Sequence, residues 1–239
     1  MADDVSLAPR HSLTRQRLPG PVAPAAVLRL ALKPQFRGWL HAGASPVVLA
    51  AGIVLVCLAP TSSSRWAAVA YATAGVIVFA VSAVYNVGTW NARGQAILQR
   101  LDHGSIYLVI AGTYTPIATL ALDGPRQQVF LVGAWVAAAL GIAFRVLWLT
   151  APRALCTGLY VALGWSIAPF VGDLVAASPA AGLLTVVGGV LYTVGGVIYA
   201  TRWPDPSPTR FGFHEVFHAL TICAWTCQYV AISILTYQA

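Results

Sequence analysis

The chain has 239 residues, of which 58% are hydrophobic and 9% charged, and its mean hydropathy is +0.74. Soluble domains carry about 25% charged residues, so this composition excludes a soluble globular protein and indicates a membrane protein. The formal net charge of +7 is compatible with nucleic-acid binding, but the positions of the basic residues, described below, argue against it.

The N-terminal segment is rich in Pro, Ala and Arg and has no apolar stretch before Gly38. We therefore predict a cytoplasmic tail over residues 1–37, partly disordered, and a membrane domain over residues 38–239. The segment lacks the apolar core of a cleavable signal peptide, so the first apolar stretch is expected to remain as a membrane anchor.

Seven apolar stretches follow, each near the roughly 20 residues that a helix needs to cross a bilayer. Polar or helix-breaking turns such as "APTSSSR" and "WPDPSPTR" separate them. The predicted fold is an all-α bundle of seven transmembrane helices. The predicted spans are Gly38–Ala59, Trp66–Tyr85, Gly104–Leu122, Val129–Leu149, Ala154–Leu174, Ala180–Thr201 and Phe213–Thr236.

The basic residues predict the orientation of this bundle. Of the 14 Lys and Arg residues, only Arg65 and Arg126 fall on the side away from the N-terminus. Because short cytoplasmic segments carry the excess of Lys and Arg, the N-terminus is predicted inside and the C-terminus outside. Topology and attraction to anionic membrane lipids then account for the positive charge, and nucleic acid is not expected as a partner.

Two further patterns concern packing and span ends. Gly133, Ala137 and Gly141 form a row of small residues that is expected to let the fourth span approach a neighbour closely. His41 and Arg145 lie near the cytoplasmic ends of their spans, where long polar side chains are expected to reach the interface.

Strongly polar residues inside spans are costly in lipid and therefore are candidates for function. The predicted topology brings five of them to one depth near the cytoplasmic side: Ser82 and Asn86 late in the second span, Asp102 at the start of the third, and His214 and His218 at the start of the seventh.

The two histidines of "HEVFH" lie four residues apart, on one face of a helix, where their imidazoles can share a cation such as zinc. Glu215 points about 100° away from His214 and is expected either to face the interface or to cap the helix start. An intramembrane zinc protease is disfavoured, because the additional carboxylate motif that it requires is absent from the sequence.

These motifs, in this order, resemble those of the hemolysin III family, the bacterial branch of the progestin and adipoQ receptor superfamily. The resemblance runs from "KPQFRGWLH" through "LDHGSIYLVIAGTYTP" to "HEVFH". It implies a multi-pass protein of the bacterial inner membrane. It also implies a zinc site held by one histidine of the second span and two of the seventh, with an aspartate and a serine supporting the zinc-bound water.

Mapped onto this sequence, the implied metal residues are His214, His218 and position 86, with Asp102 and Ser82 in support. Position 86 is Asn, whose amide oxygen is a weaker zinc ligand than an imidazole. Three outcomes stay open: Asn86 ligates weakly, Asp102 joins the metal as a carboxylate ligand, or the site has lost the metal. His103 points away from Asp102 and would help only if the third span rotated.

The resemblance implies a role in membrane homeostasis or fluidity. The alternative is a zinc-dependent lipid amide hydrolase similar to the alkaline ceramidases, with Asp102 as the catalytic base and Ser82 as the donor to the water or oxyanion. A pore is disfavoured, because the polar residues cluster at one depth instead of following the spans.

Overall fold

A computed structural model describes residues 34–238. The predicted cytoplasmic tail therefore lies outside the described residues, except for its last four positions. Helices make up most of the described chain, and within it the only β-type pairing is one isolated bridge between Ser207 and Phe211. The predicted all-α class is confirmed.

Seven helical spans are long and apolar enough to cross a membrane, as predicted. They cover Trp39–Leu58, Ser62–Val87, Ala92–Ala121, Gly124–Leu147, Arg153–Ala177, Pro179–Thr201 and Phe213–Tyr237. Consecutive spans run in opposite directions, so the loops 88–91, 148–152 and 202–212 lie at the end of the bundle where the first span begins. We call this end the proximal end.

The third span is longer than predicted and begins at Ala92 instead of Gly104. The side chain of Asn91 accepts a hydrogen bond from the backbone N–H of Gly94 at 2.8 Å and so caps the helix. The added turns contain Arg, Gln and Asp, which hydropathy alone assigns to a loop. As a result, Asp102 and His103 lie well inside a helix that extends beyond the apolar region.

The fifth span is interrupted. Its first helix ends at Gly164, a 3₁₀ turn covers Ala168–Phe170, and a second helix covers Val171–Ala177. Pro169 explains the break, because proline lacks a backbone N–H and disfavours helical geometry in the preceding residue. The hydroxyl of Tyr114 donates to the freed carbonyls of Leu163 and Gly164, so the break does not leave them without partners.

Two backbone hydrogen bonds join the segment before the first span to the loop that precedes the seventh span. The N–H of Gln35 donates to Thr209 O at 3.0 Å, and the N–H of Phe36 donates to Arg210 O at 3.2 Å. Gly38 then adopts a φ of +83°, and a Cβ at this position would lie 2.6 Å from the Cβ of Asn86. Glycine tolerates this positive φ and the close approach. The turn places Arg37 in contact with Asn86 of the second span.

Small residues allow some spans to pack closely, though not at every position expected. A Cβ added at Gly112 would lie 2.5 Å from the Cβ of Ala74, so the second and third spans are in tight contact there. Gly141 packs directly against the ring of Tyr107. Gly133 has no atom within 4 Å of an added Cβ and instead faces a surface groove. The predicted row of small residues thus mediates packing at Gly141 and not at Gly133.

We expect Gly112→Ala to destabilise the bundle by about 1–3 kcal/mol, the usual cost of an extra methyl group in a packed interior. Thermal unfolding of the purified protein in detergent measures this effect. Gly133→Ala is the matched control and should be neutral or slightly stabilising, because alanine favours a helix over glycine. Equal melting temperatures for the two variants would contradict the packing described for the second and third spans.

Candidate functional site

A cavity of about 280 Å³ lies inside the bundle, and four of the sequence-predicted site residues line it. They are Ser82 of the second span, Asp102 of the third, and His214 and His218 of the seventh. The structure therefore brings these side chains together, although it does not test the roles predicted for them. Asn86, the fifth predicted residue, is buried next to Ser82 but does not line the cavity.

The two histidines of the seventh span adjoin each other, with ring centroids 4.4 Å apart. Their spacing of four residues places them one above the other on the inner face of the helix. His214 Nε2 and His218 Nδ1 are both buried and have no hydrogen-bond partner within residues 34–238. Unpartnered buried nitrogens are costly, and here they mark a place where a ligand or a metal could bind.

His41 adds a third imidazole that the sequence interpretation missed. Its ring stacks on His218 with centroids 3.8 Å apart and planes 6° apart, and neither of its nitrogens has a partner. Only 3% of His41 is exposed, so the expectation that it reaches the interface is wrong. The signal was available: His41 lies in the first turn of its span, at the same end of the bundle as the other two histidines.

Asn86 is committed to hydrogen bonds within the protein. Its Oδ1 accepts from Arg37 Nε at 3.0 Å, and its Nδ2 donates to the Ser82 carbonyl at 3.0 Å and to the Ser82 hydroxyl at 3.3 Å. Burial lowers the pKa of the Arg37 guanidinium, and the nearby carboxylate of Glu215 acts in the opposite direction. The amide oxygen that was predicted to face a metal therefore already accepts a hydrogen bond from a guanidinium.

Asp102 lies between two polar neighbours. The Ser82 hydroxyl is beside its carboxyl group, and its Oδ2 lies 3.9 Å from His103 Nδ1. Among the residues 34–238, this is the only carboxylate lining the cavity. Asp102 is therefore placed to accept a proton from a molecule bound in the cavity.

His103 is held away from the histidine pair. Its Nδ1 donates to the carbonyl of Gln99 at 2.8 Å, which leaves Nε2 to accept from the Tyr199 hydroxyl at 3.2 Å. With both nitrogens in use, His103 does not replace the missing histidine at position 86.

Glu215 caps the seventh span, which was one of the two positions expected for it. Its Oε2 accepts from the backbone N–H of Gly212 at 2.8 Å, and the residue has no exposed surface. The middle of "HEVFH" therefore stabilises the helix start, while the two flanking histidines face the cavity.

These residues do not assemble a complete site for zinc, which usually takes three or four protein ligands. The free nitrogens of His214 and His218 fit such a site. His41 lies flat on His218 with ring planes 6° apart, so the nitrogen lone pairs of these two rings run parallel and do not converge on one ion. The amide of Asn86 does not fit either, because it is bonded to a cation. Within the described part of the chain, no group of three His, Cys, Asp or Glu side chains is arranged to hold a metal ion. Zinc binding stays a prediction.

Comparisons with known proteins agree with this architecture. The model of the family described as haemolysin-III related matches residues 30–229. The "Hemolysin-3 homolog" of Bacillus subtilis (strain 168) is 32% identical over 140 residues, which cover 57% of this chain and 66% of that protein. "Hemolysin-3" of Bacillus cereus is 31% identical over 117 residues, 48% of this chain and 53% of the relative. Both matches span less than two thirds of the relative's own length.

The Asn86–Arg37 contact predicts the metal content of the purified protein. We expect well under one zinc per chain in the wild type, and a clear rise in Asn86→His, because an imidazole there would complete a three-histidine set. Inductively coupled plasma mass spectrometry of protein dialysed against trace zinc measures both.

Two further variants in the Asn86→His background identify the ligands. His218→Ala should abolish the gain, whereas His103→Gln should not, because His103 is bonded to Gln99 and Tyr199. Stoichiometric zinc in the wild type, lost in His214→Ala, would contradict this expectation and show that the site is complete without a histidine at position 86.

Proposed function

Because the chain belongs to the family of haemolysin-III-related proteins, we propose that this multi-pass membrane protein senses or adjusts the physical state of the bilayer through its inner cavity. Its place is the bacterial inner membrane, with the proximal end facing the cytoplasm, as the distribution of Lys and Arg predicts.

One observation carries the proposal: polar side chains from four spans meet in one buried place. His41, Asn86, His214 and His218 are each at most 7% exposed, and Asp102 lines the same region. Placing such groups inside a bilayer costs several kcal/mol, and a purely structural bundle does not need them. A cavity of this kind, formed between spans, can respond to changes in how tightly the spans pack.

A lipid amide hydrolase is the second candidate, favoured by Asp102 and Ser82 lying side by side in the cavity. Asp102 could take a proton from water, and Ser82 could donate a hydrogen bond to the reacting oxygen. This candidate ranks second, because the described residues lack the third metal ligand.

We expect the cavity carboxylate to be required for function in cells. In a strain whose own copy is deleted, the wild-type gene should restore cold growth and lipid packing, and Asp102→Asn should restore neither. Asparagine has the same size but cannot carry the charge. Growth curves at low temperature and Laurdan fluorescence of the membranes measure the two effects.

Asp173→Asn is the matched control. Asp173 lies at the opposite end of the bundle, in a largely exposed pair with Arg126 at 2.8 Å, and such pairs contribute only about 0–1 kcal/mol. It should restore growth like the wild type. If Asp102→Asn restores growth equally well, or if the deletion changes neither property, the proposed role is refuted.

Release of fatty acid from a ceramide-like amide separates the two candidates. The purified chain in nanodiscs, supplied with zinc, should release none if the homeostasis proposal is right. Sustained release that Asp102→Asn and His214→Ala both abolish would establish the hydrolase instead.

A further inference from the structure

Arg145 is a buried cation that has no anionic partner among the described residues. It lies in the last turn of the fourth span, and only 3% of it is exposed, so the expectation that it reaches the interface is wrong. Its Nη1 donates to the Trp148 carbonyl at 3.4 Å and to Cys156 Sγ at 3.1 Å. Its Nε is buried with no partner. A guanidinium cannot lose its charge to reduce this cost.

A second arginine lines the same cavity as Arg145. Because the side chain of this second arginine is exposed, we call this part of the cavity the mouth. Arg153, in the first turn of the fifth span, lines the cavity together with Arg145. Its guanidinium carbon lies 5.4 Å from the centroid of the Tyr199 ring, a cation–π contact that holds the side chain near the opening. His103 also lines this cavity.

No carboxylate of residues 34–238 forms an ion pair with either of these two arginines. Within this described part of the chain, the one arginine in an ion pair with a carboxylate is Arg126, whose partner is Asp173. The Asp102 carboxylate instead lies 3.9 Å from His103 Nδ1. The other carboxylates of the proximal end are engaged elsewhere: Asp205 accepts from the N–H of Phe213 at 2.9 Å, and Glu215 caps the seventh span. Against these three carboxylates, this end carries seven arginines, at positions 37, 93, 100, 145, 153, 202 and 210.

We propose that the mouth of the cavity binds a phosphate-type oxyanion between Arg145 and Arg153. Guanidinium groups bind phosphate oxygens through charge-assisted, often bidentate hydrogen bonds. Two positive charges match a phosphomonoester dianion, and the free Nε of Arg145 supplies a donor that has no other partner.

The residues below this mouth favour a lipid as the source of the phosphate. Ile106, Val109 and Ile110 of the third span line the cavity beyond the two arginines, and they offer an apolar path to an acyl chain. Free phosphate from solution has the same headgroup chemistry but would gain nothing from that path. The inference does not depend on zinc or on the proposed cellular role.

Binding of dioctanoyl phosphatidic acid tests the proposal. Isothermal titration of the full chain, purified in a neutral detergent without phosphate buffer, should show saturable binding, and dioctanoyl phosphatidylcholine should bind much more weakly. Arg145→Gln and Arg153→Gln should each weaken binding about tenfold or more, the usual effect of losing a charge-assisted hydrogen bond. Arg153 is exposed, so its variant keeps the test valid if Arg145→Gln fails to fold.

Arg93→Gln is the matched control, because it removes the same charge from an exposed site at the same end without touching the cavity. It should bind like the wild type. Competition by millimolar inorganic phosphate would identify the soluble ion as a ligand, and its failure to compete would identify the lipid headgroup. Equal weakening in Arg93→Gln, unchanged binding in Arg153→Gln, or no preference for phosphatidic acid would overturn the proposal.

Discussion

Polar groups inside a bilayer must find their partners within the protein, because lipid offers none. The Asn86 amide meets this requirement through Arg37 and Ser82, and the carbonyls at the break in the fifth span meet it through Tyr114. The imidazoles of His41, His214 and His218 have nitrogens that do not meet it. The hydrogen-bonded groups therefore belong to residues that build the bundle. The groups without a partner belong to residues that are available to a ligand.

Hydropathy was enough to predict seven spans, because crossing a bilayer requires length and apolar character and little else. It failed at the start of the third span, where the helix continues into polar residues that a capping asparagine stabilises. Depth alone also predicted that Ser82, Asp102 and the two histidines would meet. It misplaced His41 and Arg145, because whether a side chain near a span end turns outward depends on its neighbours. For His41 the depth that it shares with the other two histidines was an indication, whereas nothing in the sequence indicated it for Arg145.

At the proximal end, one carboxylate lies inside the cavity and arginine side chains lie around it. Asp102 lies in the cavity, with Arg37 acting on it from the side of the first span and Arg145 and Arg153 at the opening. The guanidinium of Arg37 holds the amide at the position where the family resemblance implies a metal-binding imidazole. A fixed side-chain cation therefore already stands next to the histidine pair, and a dication bound there would be repelled by it.

The broken fifth span has a further consequence for access. Leu163 lines the groove on the outer surface between the fourth and fifth spans, whereas its neighbours Gly164 and Trp165 line the inner cavity. Only one irregular turn separates the two spaces. A hydrocarbon tail lying in the groove would be separated from the cavity by that turn alone, so partitioning into the lipid phase, and not aqueous concentration, would set how often such a molecule reaches this wall of the cavity.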